Sequence, residues 1–221
     1  MKILSTSTLS ILSIACASVA NAATLIQDIN FGPTATDLAN ADVGVVKFNP
    51  ALGTLQSVSL TFDVVNKFGV GLENTTASPV TLRYTLNDWT HSFSLTDASN
   101  NLLATDSDSI SRPRKDVPVT AYDGATDFAG TSGFRDVFTL NFGGTSNPVN
   151  IAPFVGTGPA LFLSTNTLFS LTVFGNAQSN LKSDEYMTGK LTYEYEPVPE
   201  PASLAVLATG AIALIRRRKS R

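Results

Sequence analysis

Ser57-Val58-Ser59-Leu60-Thr61-Phe62-Asp63-Val64 carries the clearest structural signal of the chain. Four apolar residues alternate with four polar ones. A period of two places Val58, Leu60, Phe62 and Val64 on one side of an extended chain, whereas a helix would scatter them around its axis. The same alternation recurs along the chain. Val80, Leu82, Tyr84 and Leu86 alternate with Thr81, Arg83, Thr85 and Asn87. Phe138, Leu140 and Phe142 form a third apolar set; Phe169, Leu171 and Val173 form a fourth; Leu191, Tyr193 and Tyr195 form a fifth. Many of the polar partners are Thr or Ser, which suit a pleated, half-buried surface. Shorter runs at 43–48, 68–72, 91–95, 101–104 and 117–122 are weaker strand candidates. No amphipathic helical stripe stands out between residues 24 and 196.

Turn-forming clusters separate these runs: Asn49-Pro50, Asp123-Gly124, Gly143-Gly144, Asn147-Pro148 and the stretch 156–159. Gly admits positive φ and Pro pre-sets a turn. About eight to ten short strands with such turns predict an all-β fold, an antiparallel β-sandwich or jelly-roll-like single domain. A parallel sheet would need crossover helices.

The two chain ends differ in character from this body. Lys2 precedes an uncharged stretch over 3–19, and Ala20-Asn21-Ala22 fits the small-x-small pattern of signal-peptidase recognition through Ala20 and Ala22. Residues 1–22 are therefore expected to be a signal peptide. The single cysteine, Cys16, lies inside it, so the body at 23–197 carries no disulfide and depends on its core.

At the other end Val198-Pro199-Glu200-Pro201 leads into an uncharged segment at 202–215. Ala202, Leu204, Val206, Leu207, Ile212, Leu214 and Ile215 make it apolar, and Arg216, Arg217, Arg218 and Lys219 follow as a basic stop before Arg221. As a helix this segment would span roughly 21 Å against a bilayer core of about 30 Å. It is expected to be a marginal, transient inner-membrane anchor helix with its basic end in the cytoplasm. Pro199 and Pro201 keep Glu200 in extended chain, open to an enzyme.

These three features, in this order at the chain end, resemble the PEP-CTERM sorting signal of Gram-negative bacteria that make exopolysaccharide, with Glu200 as the motif glutamate. The resemblance implies export, a transient membrane stage and release of the body at 198–221 by an exosortase-type enzyme. A second resemblance concerns the body. Phe48, Pro50, Leu52, Gly53 and Leu55, ahead of the long alternating strand, together with the Gly-rich 128–134 loop, resemble the choice-of-anchor E domain. That resemblance implies a secreted module over about 25–196 and no particular chemistry.

Removing Lys2 and the five tail cations leaves nine Lys and Arg against eighteen Asp and Glu over residues 23–200, a net charge of about −9. Such a charge disfavours nucleic acid or anionic lipid as partners. It suits solubility and leaves room for a divalent cation.

No catalytic constellation is expected. His91 is the only histidine, and no Gly-x-Ser-x-Gly elbow presents a serine. His91 is expected to be a polar edge residue. A zinc site would need several His or Cys ligands. Calcium is the one cofactor worth weighing, at Asp106 and Asp108 in a stretch that also holds Asp97, Asp116, Asp123 and Asp127. The EF-hand spacing is missing, and solvated loops with Asx turns account for the same residues. Glu194 and Glu196 share one strand face about 7 Å apart, a spacing of the kind used in glycoside hydrolysis, but also the ordinary solvent face of an edge strand. Trp89, Tyr122, Phe128, Phe134 and Tyr186, near expected loops, could stack on sugar rings or simply close the sandwich ends. The function expected is therefore a non-enzymatic surface or matrix protein linked to exopolysaccharide or biofilm, with a glycan-binding module as the alternative.

Overall fold

The computed structural model describes residues 22 to 198 and residue 209. Eight strands run through the described residues: β1 (Ala23–Ala35), β2 (Ala41–Asp42), β3 (Gly53–Asn74), β4 (Val80–Asp97), β5 (Leu102–Val119), β6 (Gly133–Ser146), β7 (Leu161–Phe174) and β8 (Ala177–Pro197). They form two antiparallel sheets, ordered β1-β8-β3-β6 and β2-β7-β4-β5. The expected all-β sandwich is thus observed. Its strands are longer than the alternating runs suggested; β3 has 22 residues and β8 has 21.

The alternating sets become the inner faces. Val58, Leu60, Phe62 and Val64 are buried, as are Leu82, Tyr84, Leu86, Leu140, Phe142, Leu191 and Tyr193. Each fully buried Leu or Phe contributes about 1.5–3 kcal/mol from removal of apolar surface. Aromatic rings knit the layers together: Phe68 of β3 stacks on Trp89 of β4 at 3.7 Å, and Phe62 meets Phe93 edge-on at 5.8 Å.

Bulges interrupt the alternation in two of the strands. Register shifts at 86–89 move the inward positions of β4 from Leu82, Tyr84 and Leu86 to Trp89, His91, Phe93 and Leu95. One added residue flips the parity, so a continuous strand reads as two short runs. A shift between Leu55 and Ser57 does the same at the start of β3. The run at 43–48 is not a strand. It makes isolated bridges, Val46 to Pro159 and Phe48 to Val155, and the side chain of Gln27 exchanges two hydrogen bonds with the Val46 backbone. Phe48 is nonetheless fully buried. Asn49 then caps a 3-10 turn at Pro50–Leu52 by accepting from the Ala51 N–H. Gly53 ends that turn at φ 152°, where a Cβ would lie 2.0 Å from the Glu196 carbonyl; no other residue fits there.

The outer face of β3 is covered near its end by the 120–132 loop. Phe128 packs on Gly71, and Glu73 accepts hydrogen bonds from the Phe128 N–H at 2.8 Å and from Ser132 Oγ at 2.6 Å.

Candidate functional site

Three strands bring polar side chains into the space between the sheets. Asn66 occupies an inner position of β3 between Val64 and Phe68, Glu185 is its cross-strand partner on β8, and His91 faces them from β4. All three are fully buried. His91 Nε2 lies 3.1 Å from Glu185 Oε2, and His91 Nδ1 lies 3.0 Å from Thr167 Oγ1 of β7. The Asn66 amide donates to Ser183 Oγ at 2.9 Å and to Glu185 Oε2 at 3.3 Å. The His91–Glu185 contact is close but not aligned as a good hydrogen bond; Asn66 Oδ1 and Glu185 Oε1 have no partner among the described residues. The expectation that His91 sits on a polar edge is therefore corrected. The bulge at 86–89 turns it inward.

The cluster borders an opening. Strand β2 pairs with β7 through Leu163 and Phe162 alone, and β1 pairs with β8 no further than Asp184. Residues 37–40 follow the β7 edge a little further, the Thr165 N–H donating to the Leu38 carbonyl and the Thr167 N–H to Asp37; beyond Thr167 and Asp184, β7 and β8 each have a neighbour on one side, and the sandwich is unsealed. A cleft of about 330 Å³ lies there, lined by residues that include Asp37, Trp89, Thr167, Phe169, Ser183 and Asp184. Phe169 occupies an inward position of β7, yet it is 53% exposed. One face of its ring packs on Trp89 at 5.4 Å, nearly parallel at 23°. Asp37 holds the rim by accepting the Thr167 N–H at 2.7 Å, from a left-handed backbone at φ 65°. Lys182 and Asp184 pair at 3.0 Å. Thr167 and Ser183 connect cleft and cluster, since their hydroxyls contact His91 and Asn66 respectively.

The opposite edge carries a second polar group. Asp136 of β6 accepts from the Tyr84 hydroxyl and from Lys115 Nζ, the latter at 2.7 Å, while Arg112 lies 5.3 Å from the Phe138 ring. Burial, and then the Asp136 carboxylate, push the Tyr84 phenol well above its usual range. A hydrogen bond from Arg114 holds the exposed Asp116 below the usual carboxylate range.

The remaining candidates fall apart in space. Asp106 and Asp108 lie on strand β5, opposite Phe93 and His91, not in loops. Each accepts from the N–H of the following residue. Asp97, Asp123 and Asp127 do form the expected Asx-type turns. Among the described residues no group of three or more His, Cys, Asp or Glu gathers to hold a metal. Glu194 and Glu196 are exposed as expected, but β8 lies between β1 and β3 and is no edge strand; Glu194 accepts from Ser57 Oγ. The five aromatics do not converge. Trp89 is buried in the cleft wall, Tyr122 and Phe128 belong to the 120–132 loop, Phe134 stands by Tyr84, and Tyr186 lies under Lys67. Phe169 was missed because its alternation marks a core position; nothing in the sequence tells how short β2 is.

Ala22 and Val198 bound the described body. Val198 is exposed, and its N–H donates to the Leu52 carbonyl at 3.1 Å. Ala20 and Pro199, Glu200 and Pro201 lie outside the described residues, as do the anchor and basic-stop residues from Ala202 to Lys219 named above. Among the described residues no helix is long and apolar enough to cross a membrane.

No curated protein matches the chain. Among solved structures, that of infectious bursal disease virus Gx strain aligns with 79% of this chain and 37% of its own, at 8% identity and TM-score 0.22. A mutant VP2 protein of the same virus aligns over 88% and 48%, at 12% identity and TM-score 0.17. A marine algae virus of the order Picornavirales aligns over 90% and 88%, at 12% identity and TM-score 0.13. The chain thus spans half or less of the two bursal virus chains, and likeness this weak leaves the fold to rest on the strand pairing above. Residues 197–219 match the PEP-CTERM protein-sorting motif, so the chain carries a signal that implies exosortase-dependent export, transient membrane anchoring and surface sorting.

Proposed function

We infer that the sandwich is a non-enzymatic cargo, delivered across the inner membrane of a Gram-negative bacterium and left at the cell surface or in an exopolysaccharide matrix as a structural or adhesive component. The sorting match at 197–219 carries this reading. Its start fits the fold: Pro197 is the last residue of β8, and the exposed Val198 follows. The acidic body then remains in water, and neither nucleic acid nor a resident cofactor enters the proposal. The similarity of Phe48, Pro50, Leu52, Gly53 and Leu55 to the choice-of-anchor E opening supports a secreted module. Cell fractionation with and without the sorting enzyme tests the reading. Released protein should lack the basic tail by intact mass, and should stay membrane-bound when the enzyme is deleted. Released protein that keeps the tail refutes it.

A second reading, a glycan-binding module, is favoured by one observation: the half-exposed Phe169 ring in an open cleft rimmed by carboxylates and hydroxyls. Retention on the producing cells' exopolysaccharide tests it. A calcium-dependent rise in melting temperature, lost on replacing Asp106 and Asp108, would add the cofactor this proposal omits.

A further inference from the structure

Phe169 is anomalous for an inward-facing residue. The same face of β7 is fully buried at Leu161 and Leu163 and partly buried at Thr167 and Leu171, whereas Phe169 is more than half exposed. The cause is that the segment flanking β7 reaches no further than Thr167 and β1 no further than Asp184, which leaves one flank of the sandwich open. One ring face rests on Trp89, which in turn stacks on Phe68 at 3.7 Å. The exposed part of the ring is therefore held rigidly, and a ligand that covers it loses little conformational entropy.

The surroundings select the ligand's chemistry. Two carboxylates, Asp37 and Asp184, line the cleft against one ammonium, Lys182, already paired with Asp184 at 3.0 Å. An anionic ligand meets net repulsion. The floor supplies two hydroxyls with hydrogen-bonding capacity left over: Thr167 Oγ1 contacts His91 Nδ1, and Ser183 Oγ accepts from Asn66. Both are oriented from behind by fully buried side chains, so the cluster between the sheets acts as the support of the cleft floor. Its volume of about 330 Å³ lies at the small end of ligand pockets, which run from about 300 to 1,000 Å³. A ligand with one apolar face, several hydroxyls and no negative charge satisfies all of this.

We propose that the cleft between β7 and β8 binds a neutral sugar unit of a polysaccharide, its apolar C–H face on the Phe169 ring and its hydroxyls toward Asp37, Asp184, Thr167 and Ser183. This rests on the glycan-binding reading and assigns it a site. Trp89 is the only tryptophan in the chain, so its emission reports the cleft directly.

The exported protein is titrated with a panel of neutral oligosaccharides and, separately, with the cells' own exopolysaccharide. A saturable change in Trp89 emission is expected with at least one neutral probe. Phe169→Ala should weaken that binding about tenfold, as for loss of one stacked ring, and Phe169→Tyr should retain it. Urea melts of both variants confirm that the fold persists. Retention on exopolysaccharide unaffected by Phe169→Ala would overturn the cleft and leave the glycan-binding reading standing. No binding to any probe would remove both, and the tail-mass experiment would still decide the sorting reading.

Discussion

His91 and Glu185 face each other at 3.1 Å with both side chains fully buried, and replacing one of them is the sharpest perturbation of this fold. Glu185→Leu removes the group that His91 Nε2 and, at 3.3 Å, the Asn66 amide face. Breaking a buried pair on one side costs about 3–5 kcal/mol, because the surviving polar group stays desolvated and unpartnered. His91→Leu should cost a similar amount, leaving Glu185 with Asn66 alone. A domain of this size loses about 2–4 °C per kcal/mol, so each single variant should melt about 6–20 °C lower. The double variant should behave differently. Two leucines between Phe142, Met187 and the adjacent strands replace polar surface with apolar packing, and such exchanges are often neutral or stabilising by about 1–4 kcal/mol. The double variant should therefore melt close to, or above, the parent. Urea unfolding followed by Trp89 emission, with a common slope across the four proteins, gives the coupling free energy of the cycle. Singles that each cost under about 1 kcal/mol, with a double equal to their sum, would refute the claim that these groups form one buried unit.

Three further outcomes are expected. The Tyr84 and Tyr193 phenols are raised in the folded protein, in both cases chiefly by burial; their contribution to stability is fully present below the unfolded value of about 10 and is lost as pH rises from there toward the folded values. Thermal melts between about pH 9 and 12 should fall steeply, and less steeply in Tyr84→Phe. Gly71→Ala would place its Cβ 2.9 Å from Phe128 Cβ, so the 120–132 loop must lift. Overpacking of this kind costs about 1–3 kcal/mol, and proteolysis within the loop should accelerate. Trp89→Ala removes a side chain stacked on Phe68 and should cost about 3–5 kcal/mol, measured by urea unfolding with circular dichroism; a loss under about 1 kcal/mol would mean that the ring is peripheral to the core.

The readable strands are those with one wet face and one dry face. Val58 to Val64 and Leu191 to Tyr195 alternate because the inner residue is buried and its neighbour is not. Strand β5 was legible only at its two ends, in the weaker runs at 101–104 and 117–122, for the opposite reason: at the sheet edge most of its residues meet water, and Asp106, Asp108, Pro113 and Arg114 give no period-two signal. The same charges and prolines keep a free edge from pairing with another chain. Strand β1 hid behind mixed positions such as Gln27, whose side chain bonds backbone instead of filling the core. His91 was misplaced through parity. Counted from Leu86 without the bulge it faces outward; with the bulge it faces Glu185. The sorting motif was readable for a different reason, since the order of its chemical groups, not its packing, carries the signal.

The open flank and the polar interior have one cause. A sandwich whose outer strands ran the full length of β7 and β8 would seal Thr167, Phe169, Leu181 and Ser183 inside, and the hydroxyls would then need partners from within. Because β2 pairs through two residues, these positions lie at the boundary with water, where a hydroxyl on the inner face is tolerable. One strand further in, His91 and Asn66 satisfy part of their hydrogen bonding through those same hydroxyls. Extending the flanking segment past Thr167, to pair along 168–170, would therefore do two things at once: bury Phe169 and strand the Thr167 and Ser183 hydroxyls from water. The polar cluster between these sheets and the open cleft beside it thus share the Thr167 and Ser183 hydroxyls, which ties the cleft to the fold's interior.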